Sequence, residues 1–233
     1  MPSMSDEELK ALRGRVVKEL VRMPVFLGLM IFVPAWSVNY WEAWLYLGLF
    51  SASVTGVTLH LLRYDPALIA RRMEVGPAAE TERSQQIIQG ITGALSCAVF
   101  IVAGVEHRIH GSVVAWPGVL VANGGLLMGL VIVLFVFRAN SYTAATVRVE
   151  AGQQVVDVGP YAWVRHPMYS GSILGYLATP IALGSLWGLV PAALVCAMIV
   201  VRLLDEERYL AKNLAGYEEY RRRVRWRLVP GVW

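Results

Sequence analysis

The amino-acid sequence predicts an all-α protein that crosses a membrane about six times, with five crossings as the alternative, and that forms a single domain over residues 1–233. Hydrophobic residues make up 56% of the chain and charged residues only 16%, whereas soluble domains carry roughly 25% charged residues. The hydrophobic residues also lie in long blocks, and about 18 apolar residues suffice to cross a hydrocarbon core about 30 Å thick. The basic residues fall between these blocks in an alternating pattern, which indicates a polytopic membrane protein.

The first element is an amphipathic helix, predicted over residues 1–22, that lies at the membrane interface. Ser5 and Glu8 have the spacing of a capping box, in which each side chain pairs with the backbone of the other residue at a helix start. Basic residues then alternate with leucine and valine, and these basic residues are Lys10, Arg13, Arg15, Lys18 and Arg22. Such a helix rests its apolar face on the bilayer before the chain enters it.

Apolar blocks follow this helix and form the membrane bundle predicted over residues 23–204. They lie at 23–38, 41–62, 87–105, 113–137, 168–183 and 186–204. Pro24 and Pro34 predict a kink or an incomplete crossing in the first block, so five crossings stay possible. The turn at Gly184 and Ser185 predicts that the last two blocks form a tight helical hairpin. Residues 205–233 are expected to form a cytoplasmic segment with a carboxy-terminal helix.

The positions of the basic residues predict the orientation of the chain. If every block crosses, 20 of the 21 lysine and arginine residues lie on one side and Arg108 lies on the other. Because loops rich in lysine and arginine stay in the cytoplasm, both termini are expected there. The basic run at 221–227 is expected to anchor the chain at a lipid surface. Nucleic-acid binding is not expected, because the basic residues do not form one solvated face.

Cysteine and histidine do not predict a metal centre. Cys97 and Cys196 fall inside apolar blocks, where a free cysteine behaves as a small hydrophobe. Glu106, His107 and His110 cluster in the short outer loop, which is expected to be solvated rather than metal-binding. No metal ligand is therefore predicted.

A first polar cluster, GPYAWVRHPMYSG, occupies residues 159–171 at the edge of an apolar block. Pro167 disfavours a helical conformation at His166, so Arg165 and His166 are expected at the membrane surface just before a span. The amino terminus of such a helix presents free N–H groups that suit an anionic group. The alternative is that Arg165 extends to lipid phosphates and that His166 caps the helix.

A second polar cluster begins near the end of the last block. Arg202 and Glu206 lie four residues apart on one helical face, and Glu207 is the next residue. Ionisable residues at the edge of a span mark a functional site by default, and an intrahelical ion pair is the alternative. Asn140 and Tyr142 leave the fourth block and are expected to line a cytoplasmic vestibule.

These motifs resemble the integral-membrane methyltransferase superfamily of isoprenylcysteine carboxyl methyltransferases and phospholipid methyltransferases. The similar pieces are GPYAWVRHPMYSG at 159–171, EER at 206–208 and GYEEYRRRV at 216–224, and DPALIARRM at 65–73 is similar to bacterial members. The resemblance implies a helical fold in a bacterial inner membrane that binds S-adenosylmethionine in a cytoplasmic pocket. A lipophilic acceptor would enter that pocket from the bilayer.

The resemblance also implies roles for individual residues. Arg165, His166 and Tyr169 would contact the methionine end of S-adenosylmethionine. Glu206 would bind its amino or ribose group, with Glu207 nearby. The other implied residues are Tyr161, Pro167 and Gly171, which would shape the pocket wall, and Arg202, the catalytic residue that would orient an acceptor carboxylate. Asn140 and Tyr142 are predicted as further acceptor contacts because of their position at the vestibule.

The function expected on this basis is carboxyl O-methylation of an isoprenylcysteine-like acceptor that depends on S-adenosylmethionine. Methyl transfer needs little acid–base chemistry, so orientation and the exclusion of water supply most of the rate. Phospholipid N-methylation and thiol S-methylation stay open. Two other classes also stay open: a sterol-type reductase that uses NADPH and carries a similar RHPxY segment, and a membrane protein without enzymatic activity. Membrane lipids are the expected partners, and the sequence does not predict an oligomeric state.

Overall fold

The computed structural model describes residues 5–73, 78, 80, 82–141 and 153–233, and within these ranges every regular element is helical. The α-helices are α1 (Asp6–Ala35), α2 (Trp41–Tyr64), α3 (Pro66–Arg72), α4 (Arg83–His110), α5 (Trp116–Ala139), α6 (Pro167–Ala182), α7 (Leu189–Asn213) and α8 (Tyr217–Arg223). A 3₁₀ turn at Gly159–Ala162 precedes α6. The prediction of an all-α membrane protein is confirmed.

The predicted interfacial helix and the first apolar block form one continuous helix, α1. The capping box at its start is confirmed, because Ser5 N donates to Glu8 Oε2 at 2.8 Å and Glu8 N donates to Ser5 Oγ at 3.3 Å. Pro24 and Pro34 both lie inside this helix. Leu12 and Val16 are buried against α2, α3 and α5, so the amphipathic half of α1 packs on protein as well.

Three of the described helices, α2, α4 and α5, are long and apolar enough to cross a membrane. The other crossings of the predicted six, or five, stay a prediction, because α6 and α7 have shorter apolar stretches. The 16 residues of α6 rise only about 24 Å. The first 18 residues of α7 include the charged residues Arg202, Asp205 and Glu206. Polar residues of the site therefore take up length that a complete span would need.

Helices α5 and α6 approach each other closely at two glycines. A Cβ atom on Gly129 would lie 2.6 Å from the carbonyl oxygen of Gly171, and a Cβ atom on Gly171 would lie 2.7 Å from the carbonyl oxygen of Gly129. Small residues of this kind let helix backbones approach each other inside membranes. The predicted pocket residue Gly171 thus fixes the position of α6 against α5.

The helical hairpin predicted at Gly184 and Ser185 is present between α6 and α7. The carboxylate of Glu106 accepts hydrogen bonds from Ser185 Oγ at 2.5 Å and Trp187 N at 2.8 Å. The ring of His107 stacks on Tyr40, with the centroids 3.6 Å apart. The expectation that Glu106 and His107 occupy a solvated loop is wrong, because α4 continues through both residues and Glu106 caps the hairpin.

Replacing Gly171 by alanine tests the close α5–α6 contact. The added methyl group meets backbone rather than a flexible side chain, so we expect Gly171→Ala to destabilise the protein by about 1–3 kcal/mol. Gly124→Ala is the matched control, since a Cβ atom at Gly124 has no neighbour within 4 Å. Thermal unfolding in detergent measures both, and equal melting temperatures for the two variants would contradict the proposed packing.

Candidate active site

The entry to α6 is built from two prolines and a glycine. Gly159 has a positive φ of 59°, which suits the turn that leads into the 3₁₀ segment. Pro167 is the first residue of α6 and His166 is its N-cap, with φ −127° and ψ 60°. The prediction that Pro167 keeps His166 out of the helix is therefore confirmed. Arg165 and His166 both lie before the first turn of α6, and both are buried.

The carboxy-terminal tail, residues 224–233, forms hydrogen bonds with the residues just before α6. Arg165 N donates to Trp226 O and His166 N donates to Arg227 O, both at 2.9 Å. The guanidinium of Arg165 donates through Nη1 to Val224 O and Arg225 O, again at 2.9 Å. The basic tail that the sequence assigned to the lipid surface thus also holds the polar motif in place.

Glu207 lies at the centre of this arrangement and is only 3% exposed. Its Oε1 accepts from Arg165 Nε at 2.7 Å and lies 3.3 Å from His166 Nε2, while its Oε2 accepts from Arg227 Nε at 3.0 Å. We call Glu207, Arg165, His166 and Arg227 the Glu207 cluster. It joins α7, the start of α6 and the carboxy-terminal tail through one carboxylate.

The electrostatics of the Glu207 cluster keep Glu207 ionised. Burial raises the pKa of Glu207, but hydrogen bonds from His166, Arg165 and Arg227 outweigh burial and lower the pKa from 4.5 to about 2. A buried carboxylate is tolerated when it is paired and hydrogen-bonded. The negative charge of Glu207 is therefore directed to the protein's own cations.

Glu206 turns away from that cluster, because successive residues of an α-helix point about 100° apart. Its Oε2 accepts a hydrogen bond from Tyr169 Oη at 2.5 Å. Arg202 Nε donates to the same Tyr169 Oη at 3.1 Å, and Arg202 Nη2 lies 2.8 Å from Glu80 Oε1. We call Glu80, Arg202, Tyr169 and Glu206 the Arg202 chain. The tyrosine oxygen bridges the two residues that the sequence placed on one helical face.

Two members of this region carried no assigned role in the sequence. Glu80 is 3% exposed and precedes α4, where it is one of several glutamates between helices and belongs to no recognisable motif. Arg72 ends α3, with its Nη1 3.7 Å from Met168 Sδ and its guanidinium 5.0 Å from the centroid of Phe137. Arg72 lies in the piece DPALIARRM. The resemblance therefore included this segment but predicted no role for Arg72.

The other predicted site residues lie beside the entry turn. Asn140 Nδ2 donates to Tyr161 Oη at 3.3 Å, and the carbonyl oxygen of Tyr161 accepts from Tyr220 Oη at 2.8 Å. Pro167 is buried at the start of α6. Tyr142, the other predicted acceptor contact, lies outside the described residues. The structure therefore brings Asn140 and Tyr161 together.

An orphaned hydroxyl group lies next to the two glutamates. Tyr217 Oη is buried and has no hydrogen-bond partner among the residues that the structure describes. Burial raises the pKa of Tyr217, and the carboxylates of Glu207 and then Glu206 raise it further. A buried hydroxyl without a partner is uncommon, and a polar ligand held between α7 and α8 would satisfy it.

An apolar cavity of about 540 Å³ opens among α1, α2, α4, α5 and α6. Its wall on α6 is formed by Gly171, Ser172, Gly175, Tyr176 and Thr179. Tyr176 Oη and Ser96 Oγ pair at 2.9 Å, and Tyr46 Oη pairs with Thr179 Oγ1 at 3.2 Å. The hydroxyl groups in the wall thus bond one another. On α6 the cavity begins directly after Tyr169 of the Arg202 chain.

Fold and site together define an all-α membrane protein in which buried ion pairs adjoin an apolar cavity. Residues 118–216 match the family described as phospholipid methyltransferase. This match agrees with the resemblance of the motifs to the membrane methyltransferase superfamily, which also contains the isoprenylcysteine carboxyl methyltransferases. The matched family points to methyl transfer to a lipid-related substrate. A comparison with curated proteins gave no match.

The matched region extends from the first turn of α5 to the residue before α8. It contains Arg165, His166, Tyr169, Arg202, Glu206 and Glu207. Glu80, Arg72 and Arg227 lie outside the matched region, so the family match gives no support for a role of these three residues.

Replacing Glu207 by glutamine tests the Glu207 cluster. Because the folded pKa of about 2 lies below 4.5, this carboxylate stabilises the fold above pH 4.5 and loses that contribution as the pH falls toward 2. At neutral pH, Glu207→Gln leaves the buried guanidinium of Arg165 without its counter-charge, and we expect a loss of about 3 kcal/mol. Thermal melts of detergent-purified protein over a series of acidic pH values measure both effects.

The matched control for this prediction is Glu218→Gln. Glu218 forms an exposed ion pair with Arg221 at 3.4 Å, and such pairs contribute less than about 1 kcal/mol. The wild type and Glu218→Gln should lose stability together on acidification, whereas Glu207→Gln should depend less on pH. A Glu207→Gln variant with wild-type stability and wild-type pH dependence would contradict the cluster's role.

Proposed function

We propose that this protein transfers a methyl group from S-adenosylmethionine to a lipophilic acceptor whose apolar part occupies the cavity among α1, α2, α4, α5 and α6. The observation that carries the proposal is the order of residues along α6. Tyr169 belongs to the Arg202 chain, and Gly171, Ser172, Gly175 and Tyr176 line the cavity directly after it. An amphiphilic acceptor has the same order, with a polar reactive group followed by an apolar tail.

The size and lining of the cavity support an acceptor of this kind. A volume of about 540 Å³ falls within the roughly 300–1,000 Å³ of small-molecule sites. Its wall is apolar, and the hydroxyl groups of Tyr176 and Thr179 already have protein partners. A hydrocarbon chain would therefore enter without leaving polar groups unpaired, and it would exclude water from the reacting end.

The donor site is proposed on the polar side of Tyr169. Glu206 accepts one hydrogen bond from Tyr169, and a carboxylate has about four lone-pair sites. We propose that Glu206 holds the ammonium or ribose group of S-adenosylmethionine, and that the buried Tyr217 hydroxyl donates to the same ligand. The residues present thus fit a cationic donor that also carries hydrogen-bond acceptors.

Arg165 and His166 are proposed to act at the methionine end of the donor, as the resemblance implies. Their side chains turn onto Glu207 in the structure, so we propose that they hold the start of α6 and the tail in the shape the donor needs. Tyr161 and Pro167 pack at the same entry and would form its wall.

The donor supplies an electrophilic methyl group on a sulfonium centre, and the acceptor's nucleophile replaces the sulfur in line. The protein's part is to orient and to exclude water. Arg202 would align an acceptor carboxylate through its guanidinium, which suits bidentate recognition. A carboxylate acceptor needs no proton removed, so no basic residue is required. For this reason carboxyl O-methylation of an isoprenylcysteine-like acceptor is the reaction we favour.

Phospholipid N-methylation is the second candidate, and the description of the matched family favours it. An ammonium head group would meet the carboxylates of Glu80 and Glu206 at the same position. It would also have to lose a proton before it attacks the methyl group, and that is the step for which the described residues offer no evident base.

We further propose that the site faces the cytoplasm of a bacterial inner membrane, with both termini on that side. The support is the distribution of charge: Arg202, the tail and the entry to α6 share one end of the bundle, and Arg108 lies at the end of α4 near the opposite hairpin.

Glu206→Gln tests the donor site. The change removes the charge and keeps the shape, and a hydrogen bond to a charged group contributes about 1.5–3 kcal/mol. We expect S-adenosylmethionine to bind at least about tenfold more weakly. Calorimetry on detergent-purified protein measures the affinity, with Glu218→Gln as the control variant. NADPH is the control ligand, and binding of NADPH instead of S-adenosylmethionine would assign the protein to the reductase class.

Gly175→Leu tests the acceptor site. A Cβ atom at Gly175 meets only Leu126 Cδ1, at 3.9 Å, so a leucine side chain should project into the cavity without disturbing the helices. We expect the KM for an acceptor with a farnesyl tail to rise at least about tenfold, since several buried methylene groups lose contact. Gly124→Leu, which faces open space, should leave the KM unchanged. Equal KM values for both variants would place the tail elsewhere.

A further inference from the structure

Glu80 is tied to α4 by both its backbone and its side chain. Its carbonyl oxygen accepts a hydrogen bond from Gln86 Nε2 at 2.9 Å, and its Oε1 accepts from Gln89 Nε2 at 2.6 Å. The side chain of Glu80 is fully buried, with an exposed fraction of 0%. The carboxylate therefore occupies a fixed position set by the first two turns of α4.

This carboxylate makes direct contact with the proposed catalytic arginine. Arg202 Nη2 donates to Glu80 Oε1 at 2.8 Å, and the side chain of Arg202 is only 14% exposed. A buried guanidinium is costly unless a counter-charge pairs with it. Glu206 reaches Arg202 through the hydroxyl of Tyr169, so Glu80 provides a carboxylate in direct contact.

The contacts of Arg202 fix the plane of its guanidinium. The Nε edge points to Tyr169 and the Nη2 group points to Glu80. A free arginine side chain has many rotamers, and hydrogen bonds at two different edges of the guanidinium restrict that freedom. Tyr169 on α6 and Glu80, which precedes α4, thus both constrain the orientation of Arg202.

We infer that Glu80 is a positioning residue that holds Arg202 in the orientation in which it meets the acceptor. This role rests on the proposed methyl transfer, in which Arg202 aligns the acceptor's reactive group. Without the charge of Glu80, the guanidinium would turn toward Glu206 and draw the Tyr169 hydroxyl with it. The acceptor end of the site would then lose its alignment while the fold remained.

The inference makes a specific kinetic prediction for Glu80→Gln. Glutamine keeps the size of the side chain and an oxygen for Gln89, and loses only the charge. We expect the kcat/KM for N-acetyl-S-farnesylcysteine to fall about tenfold to a hundredfold through misalignment of the acceptor. The Kd for S-adenosylmethionine should stay within about twofold, because no donor contact changes. Glu80→Asp retains the charge and should recover part of the loss.

The experiment compares the wild type with Glu80→Gln, Glu80→Asp, Arg202→Gln and the Glu80→Gln/Arg202→Gln double variant. The matched control is Glu82→Gln, because Glu82 is an exposed acidic residue two positions away at the start of α4. If Glu80 acts through Arg202, the double variant should be no slower than Arg202→Gln alone. A merely structural role would lower the melting temperature and leave the KM of the folded protein unchanged.

Two results would overturn the inference, and they are distinguishable from each other. An active wild type with unchanged kinetics in folded Glu80→Gln, or with additive losses in the double variant, would overturn the positioning role and leave the proposed function standing. A wild type that transfers no methyl group to N-acetyl-S-farnesylcysteine or to phosphatidylethanolamine vesicles would overturn both.

Discussion

The buried carboxylate of Glu207 is the interaction on which the rest of the site depends. It accepts from Arg165 at 2.7 Å and from Arg227 at 3.0 Å, and it lies 3.3 Å from His166. These partners come from the entry to α6 and from the tail, whereas Glu207 itself lies on α7. Removing the charge would leave the buried guanidinium of Arg165 without its counter-charge, which is more costly than losing an exposed pair. The cluster therefore holds the start of α6 in place.

Because the start of α6 is held in place, this short helix contributes both to the polar site and to the apolar cavity. Its first turn presents Tyr169 to Arg202 and Glu206, and its next two turns line an apolar cavity. The neighbouring glutamates of α7 divide the work, because their side chains point about 100° apart. Glu207 binds Arg165 and Arg227 of the protein itself, and we propose that Glu206 binds the donor. Methyl transfer suits such a site, since the orientation of the reactants and the exclusion of water supply most of the rate of this reaction.

Much of this architecture was predictable from the sequence because it depends on local pattern. Apolar blocks predict the helical membrane class, and Pro167 predicts that His166 precedes a helix. The Glu80–Arg202 contact was not predictable. The two residues lie 122 positions apart in the sequence, and Glu80 lies in a loop without a recognised motif. The return of Arg227 to Glu207 is a tertiary contact of the same kind. The number of crossings stays a prediction, because polar site residues shorten the apolar length of α7.

The central claim, methyl transfer from S-adenosylmethionine to a lipophilic acceptor, is tested most directly by the fate of a labelled methyl group. Purified protein in vesicles would receive methyl-labelled S-adenosylmethionine with N-acetyl-S-farnesylcysteine, and in parallel with phosphatidylethanolamine alone. We predict a lipid-soluble labelled product from the farnesylated acid that releases labelled methanol in alkali, as a methyl ester does. Label that appears only in phospholipid and releases no labelled methanol in alkali would contradict O-methylation and support N-methylation. The absence of lipid-soluble label from both acceptors would contradict the account.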